Sequence, residues 1–130
     1  MKSGIEKIRD ELVKQKVEAV FISSVPYITH LTGYSNFSKE EREGYIFITA
    51  KSQFIITDAR LSGGVENVAR GFKVLVRSGE KSTHQHLEEI KKKYQISTLG
   101  IEEDNLTVAE HKAIKRVFTK LKHFELDNVR

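Results

Sequence analysis

The chain has 130 residues, of which 38% are hydrophobic and 31% are charged, a balance typical of one soluble globular domain rather than two. It contains no cysteine, which excludes disulfides, thiolate metal sites and a cysteine nucleophile. The net charge of +4 is mildly basic, so an acidic partner is compatible with it but nucleic acid is not required.

The first part of the chain predicts a helix, a buried strand and a second, short helix. Ser3–Glu6 forms a capping-box pattern, and apolar residues at helical spacing extend this helix to about Lys16. Ala19–Ile22 is a short apolar run typical of a strand in a sheet that is covered on both faces. Pro26, the only proline, suits the first turn of a helix that ends at Gly33.

The middle of the chain predicts a loop and a β-hairpin. Residues 34–43 are polar and charged and indicate a loop. Two β-rich runs, Tyr45–Thr49 and Phe54–Thr57, lie so close together that they predict an antiparallel pair. Asp58 is expected to cap the next helix through its carboxylate, and Arg60 to be an exposed residue of its first turn.

The second half of the chain alternates helices with strands. The predicted elements are a helix ending at Gly71, a strand at Phe72–Val76, a helix at Ser82–Tyr94, a strand at Thr98–Glu102, a helix from the capping box Thr107–Glu110 as far as Leu121, and an edge strand at Phe124–Asp127. The order α-β-α-β-β-α-β-α-β-α-β predicts an α/β fold. We expect a mixed sheet of about six strands with a mostly parallel core, one antiparallel hairpin and helices on both faces.

Motifs for catalysis, nucleotides or metals do not stand out. The sequence lacks HExxH, P-loop and GxSxG patterns, and Gly63–Gly64 lacks the spacing of a dinucleotide site. His84 and His86 are two residues apart on a predicted helix, so they face different directions and are expected to be solvated. His111 and His123 are expected at the surface.

The charged runs are expected to be solvated surface. Glu40–Glu43 is interpreted as an exposed loop rather than an acid–base cluster. Lys91–Lys93 and the basic residues between Lys112 and Lys120 form helix faces with few aromatic neighbours, so no nucleic-acid partner is expected. The chain has neither an apolar run of the roughly 18 residues that span a membrane nor an N-terminal apolar signal core, so we expect a cytoplasmic protein without a membrane partner.

Four segments, in order, resemble the N-terminal domain of the creatinase/prolidase/aminopeptidase P family of Xaa-Pro metallopeptidases. Val25–Tyr34 is similar to the Tyr-Leu-Thr-Gly-Phe stretch of that family, and the hairpin running into Asp58–Leu61 is similar to its strand followed by Asp-x-Arg-Tyr. Leu99–Glu102, followed by Leu106–Thr107, resembles the Leu-Gly-hydrophobic-Glu and Leu-Thr element. Asn128–Arg130 resembles the point where the family chain enters its catalytic domain.

This resemblance implies that residues 1–130 form one N-terminal domain with a topology related to ribonuclease H. The catalytic pita-bread domain, absent from this chain, would hold two divalent metals (manganese, cobalt or zinc) through two Asp, one His and two Glu. Such a pair activates a bridging hydroxide as the nucleophile. The domain by itself is therefore expected to be non-catalytic and inactive.

The resemblance also implies partners and site residues. Family N-terminal domains contribute to dimer or higher oligomer contacts and help to close an active site that binds proline-containing peptides, so the expected partners are the chain's own C-terminal catalytic domain and further copies of itself. The candidate substrate contacts are Arg60, Tyr34, Asn36, Phe37 and His30. The Arg60 fork suits a substrate carboxylate, and Tyr34 or Phe37 would cover the proline ring.

Two alternatives remain open at this point. The chain could be a stand-alone, non-catalytic protein-interaction module of the same fold, whose basic helix faces fit an acidic partner. It could also be a free-standing nucleic-acid-binding α/β domain, which salt-dependent retention on a polyanion would reveal. The sequence leaves open whether a parent enzyme would be a dipeptidase, an aminopeptidase or a creatinase-like hydrolase.

Overall fold

The computed structural model describes residues 2–129, which form one mixed sheet with helices on its two faces. The strands are β1 (Ala19–Ile22), β2 (Gly44–Thr49), β3 (Gln53–Asp58), β4 (Lys73–Arg77), β5 (Thr98–Ile101) and β6 (Lys120–His123). The helices are α1 (Gly4–Lys14), α2 (Val25–Thr32), α3 (Ala59–Val68), α4 (Thr83–Tyr94) and α5 (Val108–Val117), with short 3₁₀ turns at Glu103–Asn105 and Asp127–Val129.

The six strands lie in the order β4-β3-β2-β1-β5-β6. β2 runs antiparallel to both β1 and β3, whereas the pairs β3·β4, β1·β5 and β5·β6 are parallel. The predicted fold class and element order are therefore confirmed. Because only β2 is reversed among the described strands, the carboxyl ends of the other five meet its amino end at one end of the sheet.

Two apolar layers enclose the sheet. The layer on the first face joins α1, α2 and α3 to the strands through buried side chains that include Ile8, Leu12, Ile28, Val65, Val20 and Ile46. The layer on the second face joins α4 and α5 through Leu87, Ile90, Ile114, Val117, Phe21 and Phe47. Both faces of β1 and β2 are buried along their whole length, which explains why their sequences are continuous apolar runs.

Local sequence signals place most helix boundaries correctly. Ser3, Ser82 and Thr107 each close a capping box at the start of a helix. Pro26 lies in the first turn of α2, and Gly33 ends that helix with a φ of 81°, a left-handed conformation that favours glycine. Within residues 2–129, no helix is both long and apolar enough to cross a bilayer.

The prediction was wrong near the C-terminus and at two helix ends. α5 ends at Val117, and Leu121 belongs to β6, so the edge strand is Lys120–His123 and not Phe124–Asp127. Phe124 instead turns inward, and a Cβ on Gly100 would lie only 2.9 Å from its ring. α1 ends at Lys14 rather than Lys16. α3 ends at Val68, and Gly71 serves the turn into β4 with a φ of 88°.

Candidate functional site

Charged and polar side chains gather at the end of the sheet where the parallel strands finish. Asp58 ends β3, Arg77 ends β4 and Glu102 follows β5, while Glu43 immediately precedes β2. Loops at this end of an α/β sheet carry functional groups in many folds, because the scaffold holds them rigidly. We call this set of residues, with Arg42, Arg60, Asn105 and Glu110, the carboxyl-end cluster.

Arg42 joins three segments of the carboxyl-end cluster. Its Nε lies 3.0 Å from Oε2 of Glu110, at the start of α5. Its Nη1 donates to the carbonyl oxygen of Ser23 at 2.9 Å and to Oδ1 of Asn105 at 2.7 Å. Nη2 donates to the carbonyl oxygen of Asn105. One guanidinium therefore fixes the loop before β2 against the ends of β1 and β5.

A second group of ion pairs surrounds Glu43 and Asp58. Nη2 of Arg60 donates to Oε2 of Glu43 at 2.8 Å and lies 3.7 Å from Oδ2 of Asp58. Nε of Arg77 donates to Oδ1 of Asp58 at 2.6 Å, and its Nη2 donates to the carbonyl oxygen of Arg42. The two groups are thus connected through the backbone of Arg42.

Glu102 holds the start of α2. Its Oε1 accepts the backbone N–H groups of Ser23 and Ser24 at 2.8 and 3.0 Å, and its side chain is buried. Ser24 is the N-cap residue, but its own hydroxyl makes no capping bond and has no partner among the described residues. The carboxylate that follows β5 therefore accepts the N–H groups of the N-cap residue and of the residue before it.

The protonation states at this end follow from burial and from these contacts. Burial raises the pKa of Tyr45 above its usual range, and the hydrogen bond from its hydroxyl to Oε2 of Glu110, at 2.5 Å, raises it further. Burial acts to raise the pKa of Glu110, but the backbone N–H of Thr107, the Tyr45 hydroxyl and the charge of Arg42 together lower it. Burial acts to lower the pKa of Arg77, but the hydrogen bond to Asp58 and its charge raise it overall. Near neutral pH, Tyr45 is therefore a neutral phenol and Glu110 an ionised carboxylate.

The structure places the five predicted site residues in two different environments. His30, Asn36 and Arg60 are exposed, and the Arg60 side chain keeps 63% of its accessible surface despite its ion pairs. Tyr34 and Phe37 are buried, with ring centroids 4.7 Å apart. Their roles in substrate contact stay predictions.

The ring of Phe37 anchors the loop of residues 34–43 to β2. A Cβ on Gly44 would lie 2.7 Å from Cζ of Phe37, so the ring occupies space that only glycine leaves open. Glu43 reinforces this contact, since its Oε1 accepts the backbone N–H of Ser38. A buried ring and a buried carboxylate therefore hold residues 37 and 38 of the loop against its end at residues 43 and 44.

Of two expectations about this region, one was correct only for Glu40 and Glu41, which are exposed, and the other was wrong. Within Glu40–Glu43, Glu43 is buried and Arg42 is half-buried, because both side chains satisfy backbone groups of neighbouring segments. Asp58 occupies the N-cap position of α3, but its carboxylate makes no capping hydrogen bond. Arg77 lies directly opposite on the parallel strand β4 and binds this carboxylate instead.

The expectation that His84 and His86 are solvated was also not met. His84 is half-buried and pairs with Glu88, with Nε2 2.7 Å from Oε1. His86 is not solvated: it is buried on the face of α4 that also carries Leu87 and Ile90, and its Nε2 lies 2.8 Å from the carbonyl oxygen of Val76. Within the described part of the chain, no group of three or more His, Asp or Glu could hold a metal ion.

Sequence reasoning missed the residues that join the elements of the carboxyl-end cluster. Arg42, Arg77, Glu102, Asn105 and Glu110 make its contacts across segments that are 19 to 79 residues apart in sequence. One signal was available, because each of Arg77 and Glu102 lies at or just beyond the carboxyl end of a predicted strand. Their partners depend on strand order, which the local pattern does not encode.

Comparison with known proteins identifies the domain. The family model described as "Creatinase/Prolidase N-terminal domain" matches residues 5–130. Among solved structures, an Xaa-Pro dipeptidase from Bacillus anthracis has a TM-score of 0.82 at 18% identity, over 95% of this chain and 33% of that one. The chain thus spans about a third of that protein's length. No curated protein sequence gives a significant match.

Structures of single domains match over nearly their full length. The N-terminal domain of cytoplasmic peptidase PepQ from Mycobacterium tuberculosis H37Rv has a TM-score of 0.80 at 17% identity, over 98% of both chains. A domain of a dipeptidase from Streptococcus thermophilus has a TM-score of 0.78 at 21% identity, over 95% of this chain and 93% of that one. At these identities the structural matches establish the fold, and the family model establishes the kinship. The chain belongs to the creatinase/prolidase N-terminal domain family.

Proposed function

We propose that this chain is the non-catalytic N-terminal domain of a cytoplasmic Xaa-Pro dipeptidase or aminopeptidase. The observation that carries the proposal is the family match over residues 5–130, together with the fit of the chain to one third of an Xaa-Pro dipeptidase. In this proposal a C-terminal catalytic domain supplies the two divalent metals, manganese, cobalt or zinc. The cytoplasmic location is supported by the likeness to a domain of a peptidase described as cytoplasmic.

The state of the carboxylates supports a non-catalytic role for this domain. Glu43, Asp58 and Glu110 are each paired with an arginine, and Glu102 is committed to two backbone N–H groups. A general acid needs a raised pKa near the working pH, whereas the pKa of Glu110 is lowered. These groups are suited to holding loops in place rather than to transferring protons.

The proposed contribution of the domain is to contact further copies of the enzyme and to close the active site over proline-containing peptides. Arg60 is the best candidate for a contact beyond the domain, because its guanidinium is exposed while Glu43 fixes its direction. A guanidinium can bind a carboxylate through two parallel hydrogen bonds. Asn36 is exposed in the loop that Phe37 anchors, and His30 is exposed near the end of α2, which precedes that loop.

The parent protein provides the first test. An antibody raised against this domain should detect a protein well above 14.9 kDa in the source cells. The protein purified with that antibody should hydrolyse Xaa-Pro substrates in the presence of manganese, cobalt or zinc, whereas the 130-residue chain alone should not. A single band at 14.9 kDa would overturn the proposal and favour the stand-alone protein-interaction module.

Arg60→Ala in the parent enzyme tests active-site closure. We expect KM for an Xaa-Pro dipeptide to rise about ten- to one-hundredfold, since a hydrogen bond to a charged group contributes about 1.5–3 kcal/mol. Arg60→Lys should recover only part of the loss, because lysine keeps the charge but not the fork. Arg70→Ala, at another exposed arginine, is the matched control. Unchanged peptide kinetics in Arg60→Ala would remove Arg60 from the site.

A further inference from the structure

The sheet has one edge that is open to an additional strand. β4 pairs with β3 on one side and has no strand neighbour on the other among the strands of residues 2–129. Its central residues, Val74, Leu75 and Val76, are apolar and only half-buried. An edge strand of this kind presents unpaired backbone groups on which an extended segment can add by hydrogen bonding.

The opposite edge shows how such a strand can be protected. β6 has only four residues, in which exposed Lys120 and Lys122 alternate with half-buried Leu121 and His123. Edge lysines and short edge strands are common devices against unwanted pairing. β4 has five residues and an apolar centre, so its length and its charges protect it less against pairing with another strand.

A cleft accompanies β4 on the face that carries α4. It has a volume of about 220 Å³, and Leu75, Ile90 and Tyr94 form part of its apolar lining. Exposed Lys73 and Lys93 also line it. Nζ of Lys73 lies 5.6 Å from the ring centroid of Phe54. Nζ of Lys93 lies 5.6 Å from the ring centroid of Tyr94. The one acidic residue of the cleft, Glu89, is already bound to Lys81 at 2.6 Å.

His86 ties the cleft to the edge strand. Its side chain is 5% exposed and its Nε2 lies 2.8 Å from the carbonyl oxygen of Val76. Its Nδ1 is buried without a partner among the described residues. The wall of the cleft therefore contains a buried polar atom without a partner. Because His86 already occupies the carbonyl oxygen of Val76, an added strand pairs with the other free backbone groups of β4.

Charge determines which occupant fits this edge. Lys73, Leu75 and Arg77 lie at every second position of β4 and therefore share the α4 face, where Leu75 packs in the same cluster as Tyr45. Arg77 lies 5.7 Å from the ring centroid of Tyr45. Two copies of this chain pairing antiparallel about Leu75 would place Lys73 of one opposite Arg77 of the other. Like charges directly opposite each other are destabilising. Asp58 already pairs with Arg77, so the charges that select a partner are mainly those of Lys73 and Lys93. A second copy in this register offers Lys73 no carboxylate, whereas an acidic strand does.

We propose that the β4 edge binds an extended acidic segment of another protein, which adds to the sheet as a further strand. Its aspartate or glutamate side chains lie on the α4 face against Lys73 and Lys93. Its intervening apolar side chains lie on the other face beside Val74 and Val76. This interaction is separate from the peptidase role, and it needs neither a catalytic domain nor metal.

The probe is a fluorescein-labelled peptide in which aspartate alternates with valine over the length of β4. Fluorescence anisotropy with the 130-residue chain should show saturable binding that weakens as salt rises. Hydrogen exchange followed by NMR should show slower exchange of backbone amides in Lys73–Arg77 when the peptide is bound. No binding, or binding without added protection in β4, would overturn the proposal.

Charge reversal tests the assignment of the occupant. Lys73→Glu combined with Lys93→Glu should weaken binding of the aspartate peptide about tenfold, as expected from a few partly exposed ion pairs. The same double variant should gain affinity for a peptide in which lysine replaces aspartate, which shows that the variant is folded. Lys120→Glu on β6 is the control and should leave the affinity unchanged. Equal binding of both peptides to the unaltered chain would exclude charge selection.

Discussion

Glu102 and Glu18 lie at opposite ends of the sheet and make the same kind of contact in different surroundings. Oε1 of Glu102 accepts the backbone N–H groups of Ser23 and Ser24, at 2.8 and 3.0 Å. Oε1 of Glu18 accepts those of Ser97 and Thr98, at 2.7 and 3.1 Å. Glu102 is buried and Glu18 is exposed. The backbone contacts are matched, and Oε1 of Glu18 has one more, from the hydroxyl of Ser97 at 2.6 Å. A larger effect of Glu102 on stability would therefore come from the exclusion of water and not from the number of hydrogen bonds.

The two ends differ in the space between their segments, although the arginines at both ends are half-buried. At the carboxyl end, half-buried Arg42 and Arg77 each bind a carboxylate and a backbone carbonyl oxygen. At the amino end, a cleft of about 640 Å³ lies between α1, the turn after β2 and the end of α4. Nε of Arg9 donates to the carbonyl oxygen of Thr49 at 3.0 Å. A polar group that water can reach loses little when its partner is removed, whereas a buried one bears the cost of desolvation.

The largest effect is expected from Glu102→Ala. It leaves two buried backbone N–H groups at the start of α2 without their acceptor, and it removes a negative charge from the positive end of that helix. We expect the free energy of unfolding to fall by about 2–4 kcal/mol, measured by urea denaturation. Glu103→Ala, at the exposed neighbouring residue, is the control. Equal losses of unfolding free energy in both variants would mean that the buried contact of Glu102 contributes no more than an exposed side chain.

Arg42→Met should have the next largest effect. Methionine retains most of the aliphatic volume but leaves Glu110 and Asn105 without their cation, in surroundings that are only partly open to water. We expect a loss of about 2 kcal/mol, below the 3–5 kcal/mol typical of a fully buried pair that loses one partner. Lys39→Met, at an exposed residue of the same loop, should change the stability by less than about 0.5 kcal/mol.

The pH dependence of stability distinguishes Glu110 from an ordinary surface carboxylate. Its pKa is lowered in the folded chain relative to the ordinary value of 4.5, so the folded state binds the proton less readily. The stability that Glu110 contributes is therefore fully present above its unfolded pKa and is lost as the pH falls through its folded pKa. Urea unfolding of the unaltered chain and of Glu110→Gln should differ near pH 7 and converge in acid. A pH-independent difference would contradict this assignment.

The fold could be predicted from the sequence because its signals are local. Capping boxes at Ser3 and Thr107, the glycine at Gly33 and the apolar run Ala19–Ile22 each act within a few residues. The wrong edge strand has a local cause as well. Lys120–His123 is too polar to stand out as a strand, whereas Phe124 is apolar because it packs against Gly100.

The carboxyl-end cluster could not be predicted in the same way. Glu43 looks like any other member of a charged loop run, yet it is buried because Arg60 and the backbone of Ser38 lie against it. The burial of a charge depends on which partners the strand order brings together. Asp58 shows the same limit, since its local role as a helix cap is replaced by a contact with Arg77 from the adjacent strand.

The smallest effect is expected from Glu18→Ala, the matched counterpart of Glu102→Ala. Hydrogen bonds from Ser97 lower the pKa of Glu18, so it is ionised and makes a charge-assisted contact. Water can nevertheless hydrate the N–H groups of Ser97 and Thr98 once the carboxylate is gone. We expect a loss below about 1 kcal/mol in the same urea titration. A loss as large as that of Glu102→Ala would show that the contact geometry, and not the access of water, determines the stability at both ends of the sheet.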